Sequence, residues 1–177
     1  ALLIGEAGLE KDGDKLALGA WGYTRRQDDI ADTDDTGNPI RRKARGAYVI
    51  AEKALGDQDG PFATSLFARA GISDGRTTPY RGGWQAGLRA AHVVPGRDDS
   101  QLSIGVNQAY LSTGYRDLLR AGGARTAAAE NAIELTYSDR LASFLTLQPD
   151  LQFIWNRGGD EDAPRVTVIA LRATLEF

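Results

Sequence analysis

The segment RVTVIALRATLEF, residues 165–177, alternates in the manner of a β-strand. Ile169, Leu171, Ala173 and Leu175 occupy every second position, and the positions between them are mixed. A period of two sends successive side chains to opposite faces of a strand, so one face of this segment is apolar throughout. The fold therefore depends on what covers that face, which is either a protein interior or the hydrocarbon of a membrane.

The same strand-like pattern recurs along the whole chain. Most of the segments have about the 9–11 residues that a tilted strand needs to cross a bilayer. No apolar run approaches the roughly 20 residues of a membrane helix, so any membrane contact would be made by strands. We predict nine strands, at residues 1–10, 15–26, 45–55, 62–73, 82–94, 101–112, 128–139, 144–156 and 165–177.

The connections between the predicted strands alternate in length. Short turns such as KDGD (11–14) and SDRLAS (138–143) alternate with longer loops such as RQDDIADTDDTGNPIRRKA (26–44). Outer-membrane barrels have short periplasmic turns and longer external loops. We therefore predict that all four short turns lie at the periplasmic end of a barrel and all four longer loops outside.

Aromatic residues fit the same orientation, because the two interfaces of a membrane barrel carry aromatic belts. The periplasmic belt would contain Phe62, Tyr137, Phe144 and Phe177, and the outer belt Tyr23, Trp84, Tyr110, Phe153 and Trp155.

Composition excludes several classes of function. The 21 Lys and Arg residues nearly balance the 24 Asp and Glu residues, which gives no electrostatic basis for binding nucleic acid. The absence of cysteine removes disulfides and thiolate metal sites. The single histidine, His92, has no serine organised beside it in the pattern, and no phosphate-binding loop is present. We expect no enzymatic activity, no cofactor and no metal.

One loop is rich in acidic residues, which could bind a divalent cation through oxygen ligands. The loop lacks the spacing and the terminal Glu of an EF-hand, so a solvated external loop is the better interpretation. The residues concerned are Asp28, Asp29, Asp32, Asp34 and Asp35.

Three segments resemble the OprB family of carbohydrate-selective porins: LTLQPDLQFIWNRGG (145–159), the preceding ENAIELTYSDRLASF (130–144) and FARAGISDGR (67–76). The sequence departs from the family in its length and at Arg157, where a proline often follows the asparagine. The resemblance implies an all-β, transmembrane antiparallel β-barrel of the bacterial outer membrane. Residues 1–177 would be the C-terminal portion of a single barrel domain of roughly 16 strands.

Alternation also shows which residues of a strand share a face. A charged side chain that faces lipid near the midplane costs about 2–4 kcal/mol, so charged side chains should face the lumen. Amide and charged groups can also donate and accept hydrogen bonds, as sugar hydroxyls require. We predict that the pore lining includes Arg69, Arg89, Asn107, Glu130, Glu134, Gln148, Asp150, Gln152 and Arg172. Trp21 is a candidate sugar-stacking residue whose face the pattern leaves open.

Three functions remain open on the sequence. The first is an outer-membrane porin for passive, sugar-preferring diffusion of small carbohydrates such as glucose. The second is a non-conducting barrel that anchors or docks an envelope assembly, and the third is a soluble β-sandwich with a sugar-binding face. For the porin we expect as partners small carbohydrates, outer-membrane lipid and the remaining barrel strands, from upstream sequence or another chain, with homo-oligomerisation left open.

Overall fold

The dominant element is a single antiparallel sheet of nine strands, seen in a computed structural model that describes residues 1–176. Each strand of this sheet pairs with the next one along the chain, apart from a separate two-stranded hairpin. The sheet consists of β1 (Leu2–Lys11), β2 (Asp14–Tyr23), β5 (Arg45–Leu55), β6 (Ala63–Ser73), β7 (Tyr80–Ala91), β8 (Gln101–Leu111), β9 (Ala129–Ala142), β10 (Leu145–Trp155) and β11 (Val166–Leu175). The hairpin consists of β3 (Gln27–Thr33) and β4 (Pro39–Arg42).

All nine predicted strands are confirmed, with bounds that shift by a few residues. The structure adds two elements in segments that were predicted as loops. One is the β3–β4 hairpin, and the other is a short helix, α1 (Thr113–Ala121). A single 3₁₀ turn, Arg157–Gly159, follows β10. Across residues 1–176 no helix has the length and apolar character needed to cross a bilayer.

The connections follow the predicted alternation with one exception. A two-residue turn joins β1 to β2 through Asp12 and Gly13, which both have positive φ, at 53° and 81°. This is the backbone that a two-residue Asp-Gly hairpin favours. The exception is the loop at 74–79, which is shorter than the turns at 56–62 and 92–100. The predicted alternation of shorter turns with longer loops is therefore wrong at this loop.

The apolar face of the sheet lies open. Within residues 1–176 the buried apolar side chains are Ala17, Ala44, Ala63, Leu111, Ala127 and Ala129, and only one of them is large. A β-sandwich would bury the apolar face against a second sheet, but the other sheet in residues 1–176 is the β3–β4 hairpin alone. Residues 1–176 therefore do not form a β-sandwich by themselves. The exposed large side chains on this face include Leu16, Leu18, Leu66, Leu88, Leu102, Ile104, Leu135, Phe153 and Ile169.

Two sequence features behave differently from ordinary strand residues. Pro149 lies within β10 and is opposite Leu171 of β11, but the pairing between β9 and β10 skips Gln148 and Pro149. This local gap agrees with the missing N–H of proline. The stretch AAAENAIEL (127–135) has helix-favouring composition, but from Ala129 onward it is strand, paired with β8 on one side and β10 on the other.

Candidate functional site

Strand register places all nine predicted lining residues on one face of the sheet. Residues directly opposite each other in antiparallel strands project to the same side. Arg69 is opposite Gln85, which is in turn opposite Asn107. Across the other strands, Gln148 is opposite Arg172, and Gln152 is opposite Glu134. We call this side the polar face and the opposite side the apolar face. The polar face also carries Arg89, Glu130 and Asp150.

An acidic network lies on the polar face where β9 meets β10. The Thr136 hydroxyl is 3.0 Å from Glu134 Oε1 and 2.9 Å from Asp150 Oδ2. The Gln152 amide donates to Asp150 Oδ1 at 2.9 Å. The neighbouring strand β11 contributes Arg172, directly opposite Gln148. Carboxylates, an amide and a hydroxyl thus form a continuous surface that can donate and accept hydrogen bonds.

The basic side chains of the polar face lie several strands away. Arg69 on β6 lies 3.9 Å from Glu52 of β5, and both side chains are exposed. Arg89 on β7 is opposite Ser65 of β6 and is also exposed. Exposed ion pairs contribute little to stability, so these guanidinium groups remain available to other hydrogen-bond acceptors.

The β10–β11 loop packs against the outer end of the polar face. Glu130 accepts a hydrogen bond of 2.7 Å from the backbone N–H of Gly158 and one of 3.5 Å from the Tyr80 hydroxyl. Leu111, which is 1% exposed, packs so closely against Gly159 that the loop has no room for a side chain there. Glu130 therefore links β9 to the β10–β11 loop through this hydrogen bond and also contributes charge to the polar face.

Sequence reasoning missed several residues of the polar face. Glu52, Phe67 and Thr136 have the same parity as residues that were singled out, so the alternation could have found them. Tyr48, whose hydroxyl donates to Glu6 at 2.7 Å, also lies there. Register settles the face of Trp21, which lies on the polar face opposite Gly46.

The outer aromatic belt lies mainly on the apolar face. Trp84 donates through Nε1 to Gln108 at 3.2 Å, and Gln108 donates to Asn131 at 2.8 Å. Trp155 is opposite Asn131, which makes a polar row bounded by two indole rings. Such a row suits headgroup depth, because amphipathic rings favour the interface. Tyr110 and Phe153 share this face, whereas Tyr23 has the parity of the polar face.

At the other end of the sheet, the predicted periplasmic belt is only partly at the strand ends. Phe62 and Phe144 are exposed in turns. Tyr137 lies within β9 and donates to Asp139 at 3.0 Å. Phe177 falls outside the described residues.

Arginine side chains pair with three of the five aspartates of the acidic loop. Asp29 and Asp32 both contact Arg42 of the opposite hairpin strand, and Arg76 of the 74–79 loop contacts Asp32. Asp28 pairs with Arg41 at 3.1 Å. In the part of the chain that the structure describes, no group of three or more acidic, His or Cys side chains is placed to hold a metal ion.

The buried carboxylate of this loop has a shifted pKa. Burial alone would raise the pKa of Asp29, but the backbone N–H groups of Asp32 and Ala31 and the Arg42 guanidinium outweigh it. The pKa of Asp29 therefore lies below its usual range, and the carboxylate is ionised at neutral pH.

Comparison with known proteins agrees with this arrangement. The sequence pattern of the carbohydrate-selective porin, OprB family, matches residues 2–177. The high-pH structure of Pseudomonas putida OprB superposes with a TM-score of 0.81 at 22% sequence identity. The match covers 99% of this chain and 48% of that one, so this chain spans about half the length of the structure it matches. A comparison with curated proteins gives no match. With its family pattern matched over nearly its whole length, the chain belongs to the OprB family of carbohydrate-selective porins.

Proposed function

We propose that this chain forms part of the wall of a bacterial outer-membrane channel that admits small carbohydrates, such as glucose, by passive diffusion. The observation that carries the proposal is the separation of the two faces of the sheet. One face presents large apolar side chains to the surroundings, and the other presents carboxylates, amides and guanidinium groups. In a lipid bilayer, that separation requires water on the polar side.

The polar face supplies the chemistry for a selective pore. The nine lining residues named above would contact or surround the permeating solute. Mixed charge offers little net attraction to simple ions, whereas amide and carboxylate groups exchange hydrogen bonds with a neutral polyol. No group of the wall needs to change covalently during passage, so the mechanism is diffusion and we propose no catalytic step.

The proposed partners follow from the sheet edges. Within residues 1–176, β1 and β11 each pair along one side only. Backbone N–H and C=O groups left open in hydrocarbon cost several kcal/mol each, by order of magnitude, so further strands should pair with both edges. These strands would belong to upstream sequence or to another chain. Outer-membrane lipid would cover the apolar face.

Liposome swelling tests the proposal on the protein extracted at its native length from its own membrane. We expect vesicles that contain it to swell in D-glucose. Asn107→Phe should slow swelling, because the added ring projects into the lumen. Val106→Phe on the adjacent, apolar position should leave it unchanged. A protein that stays in the membrane but supports no swelling would instead be the non-conducting docking barrel.

A further inference from the structure

Two adjacent glycines lie in the middle of the polar face, at a position that we call the recess. β7 and β8 carry glycines at directly opposite positions, Gly87 and Gly105, so two adjacent sites of the wall have no side chain. Phe67 of β6 is opposite Gly87, and its ring extends over both glycines. A Cβ at Gly87 would lie 2.5 Å from Cζ of Phe67, and one at Gly105 would lie 3.5 Å from the same atom.

Hydrogen-bonding side chains surround this recess on the same face. In the row of opposite residues that contains Phe67, Glu52 on β5 lies on one side of it, and the two glycines on the other side are followed by Glu134 on β9. The flanking positions, two residues away along each strand, lie about 7 Å from the row. These positions hold Arg69, Gln85 and Asn107 toward the outer end and Arg89 and Ser103 toward the periplasmic end.

The combination matches the chemistry of one sugar ring. A hexopyranose has an apolar C–H surface and a rim of hydroxyl groups that both donate and accept. An aromatic ring covers the first with apolar contact, and carboxylate, amide and guanidinium groups pair with the second. Binding pockets commonly have this composition, an apolar platform with a few convergent polar groups.

On the basis of the proposed function, we infer that Phe67 is the stacking platform of a subsite for a single pyranose ring. The permeating sugar lies against the outward side of the phenyl ring, with its hydroxyls toward Arg69, Gln85, Asn107 and Arg89. Phe67 thereby sets a preference for cyclic sugars over open-chain polyols of the same size, because an open chain has no continuous apolar face to stack.

The alternative role for Phe67 is structural, since an aromatic ring over a glycine also stabilises a sheet. Substrate discrimination separates the two roles. The measurement is the rate of D-glucose uptake relative to D-sorbitol uptake, in vesicles that contain the native-length channel. Phe67→Leu removes the aromatic surface but keeps an apolar side chain, and Phe67→Tyr keeps the ring. Phe153→Leu, on the apolar face, is the matched control. Ion conductance and heat-modifiable mobility on gels report whether each variant is folded.

In Phe67→Leu we expect the glucose-to-sorbitol ratio to fall about threefold to tenfold, in line with the loss of one aromatic contact. Phe67→Tyr and Phe153→Leu should keep the wild-type ratio. If a conducting Phe67→Leu channel lost the same fraction of its uptake rate for glucose and for sorbitol, or kept the wild-type glucose-to-sorbitol ratio, the subsite would be overturned. The porin proposal would remain intact. If Phe67→Leu does not fold, a Phe67→Tyr channel without the wild-type preference overturns it. A wild-type channel that conducts ions but admits neither solute overturns the porin proposal and the subsite together.

Discussion

Asp29 of β3 and Arg42 of β4 form an ion pair that joins the two strands of the hairpin in the long loop between β2 and β5. The Asp29 side chain is 1% exposed, whereas that of Arg42 is 36% exposed. The remaining carboxylate oxygen of Asp29 accepts from the N–H groups of Ala31 and Asp32, at 3.0 and 2.9 Å. One buried carboxylate thus fixes both the turn of β3 and its pairing with β4.

Replacement of Asp29 should loosen this loop. In Asp29→Asn the Arg42 guanidinium loses one of its two charged acceptors and keeps Asp32, and a charge-assisted hydrogen bond contributes about 1.5–3 kcal/mol. We expect the free energy of local opening to fall by about that amount, measured as faster amide hydrogen exchange over residues 24–44. Asp35→Asn, at an exposed position of the same loop, is the control and should change nothing. Equal exchange rates in the two variants would contradict the role given to Asp29.

The same contact predicts a pH dependence. The folded-state pKa of Asp29 is depressed, so its contribution is fully present above the unfolded value of about 3.9. That contribution is lost as the pH falls through the lower, folded-state pKa. Protection of the loop against exchange, corrected for the intrinsic rate, should therefore be constant between about pH 5 and 8 and decrease below about pH 4. In Asp29→Asn this acid-induced decrease should be smaller than in wild type.

The two faces of β8 should respond oppositely to charge. Ile104 lies on the apolar face, and the adjacent Ser103 lies on the polar face. An arginine facing lipid near the midplane costs about 2–4 kcal/mol, whereas one in a water-filled lumen costs little. Ile104→Arg should lower the free energy of unfolding in lipid vesicles by that amount, and Ser103→Arg should leave it nearly unchanged. If Ser103→Arg lowered the free energy of unfolding more than Ile104→Arg, the assignment of the two faces would be wrong.

The two glycines of the recess should differ when replaced by alanine. At Gly105 a Cβ has ordinary contacts, 3.5 Å to Phe67 and 3.7 Å to the carbonyl oxygen of Ala86. At Gly87 it would overlap the backbone oxygen of Ile104. Gly105→Ala should therefore stabilise the protein by about 0.4–1 kcal/mol, because alanine lowers the conformational entropy of the unfolded chain. Gly87→Ala should destabilise the protein by more than that. Urea titration of the lipid-reconstituted protein measures both, and a destabilised Gly105→Ala would count against the geometry of the recess.

The loop at 156–165 should depend on Glu130. Glu130→Ala removes the acceptor for the Gly158 N–H, and a hydrogen bond to a charged group contributes about 1.5–3 kcal/mol. We expect faster exchange of the Gly158 amide and a larger, noisier ion conductance as the loop moves from the outer mouth. Glu130→Gln retains an oxygen acceptor and should be milder. If Glu130→Gln had as large an effect as Glu130→Ala, charge rather than the hydrogen bond would hold the loop.

Strand positions could be predicted from the sequence because one face of each strand is largely apolar and the other largely polar. Strict alternation such as that of Ile169, Leu171 and Ala173 is the sequence signature of this difference. Helix propensity was less informative. The Ala- and Glu-rich residues 129–135 are strand, because pairing on both sides outweighs a propensity of less than about 1 kcal/mol per residue. The true helix had a usable signal in Ser112, whose hydroxyl caps it, and in Gly122 at its end.

Alternation was enough to place the predicted lining residues on one face, but it could not predict which residues lie beside them on adjacent strands. Whether Phe67 lies beside Gly87 or beside a bulky residue depends on the register between strands, which alternation within one strand does not fix. The β3–β4 hairpin escaped prediction for a related reason. The side-chain contacts that hold it are ion pairs of Arg42 and Arg76 with Asp29 and Asp32, which an apolar pattern within one strand does not reveal.

The open apolar face also bears on how far such sequences can diverge. A packed interior constrains side-chain shape, because neighbouring solid surfaces must interlock. Under the proposed function this face meets acyl chains, which are fluid and adapt to its contour, so a leucine could be replaced by isoleucine, valine or phenylalanine without leaving a void. Hydrophobicity would then matter more than side-chain shape on this face, in keeping with two backbones that superpose with a TM-score of 0.81 at 22% sequence identity.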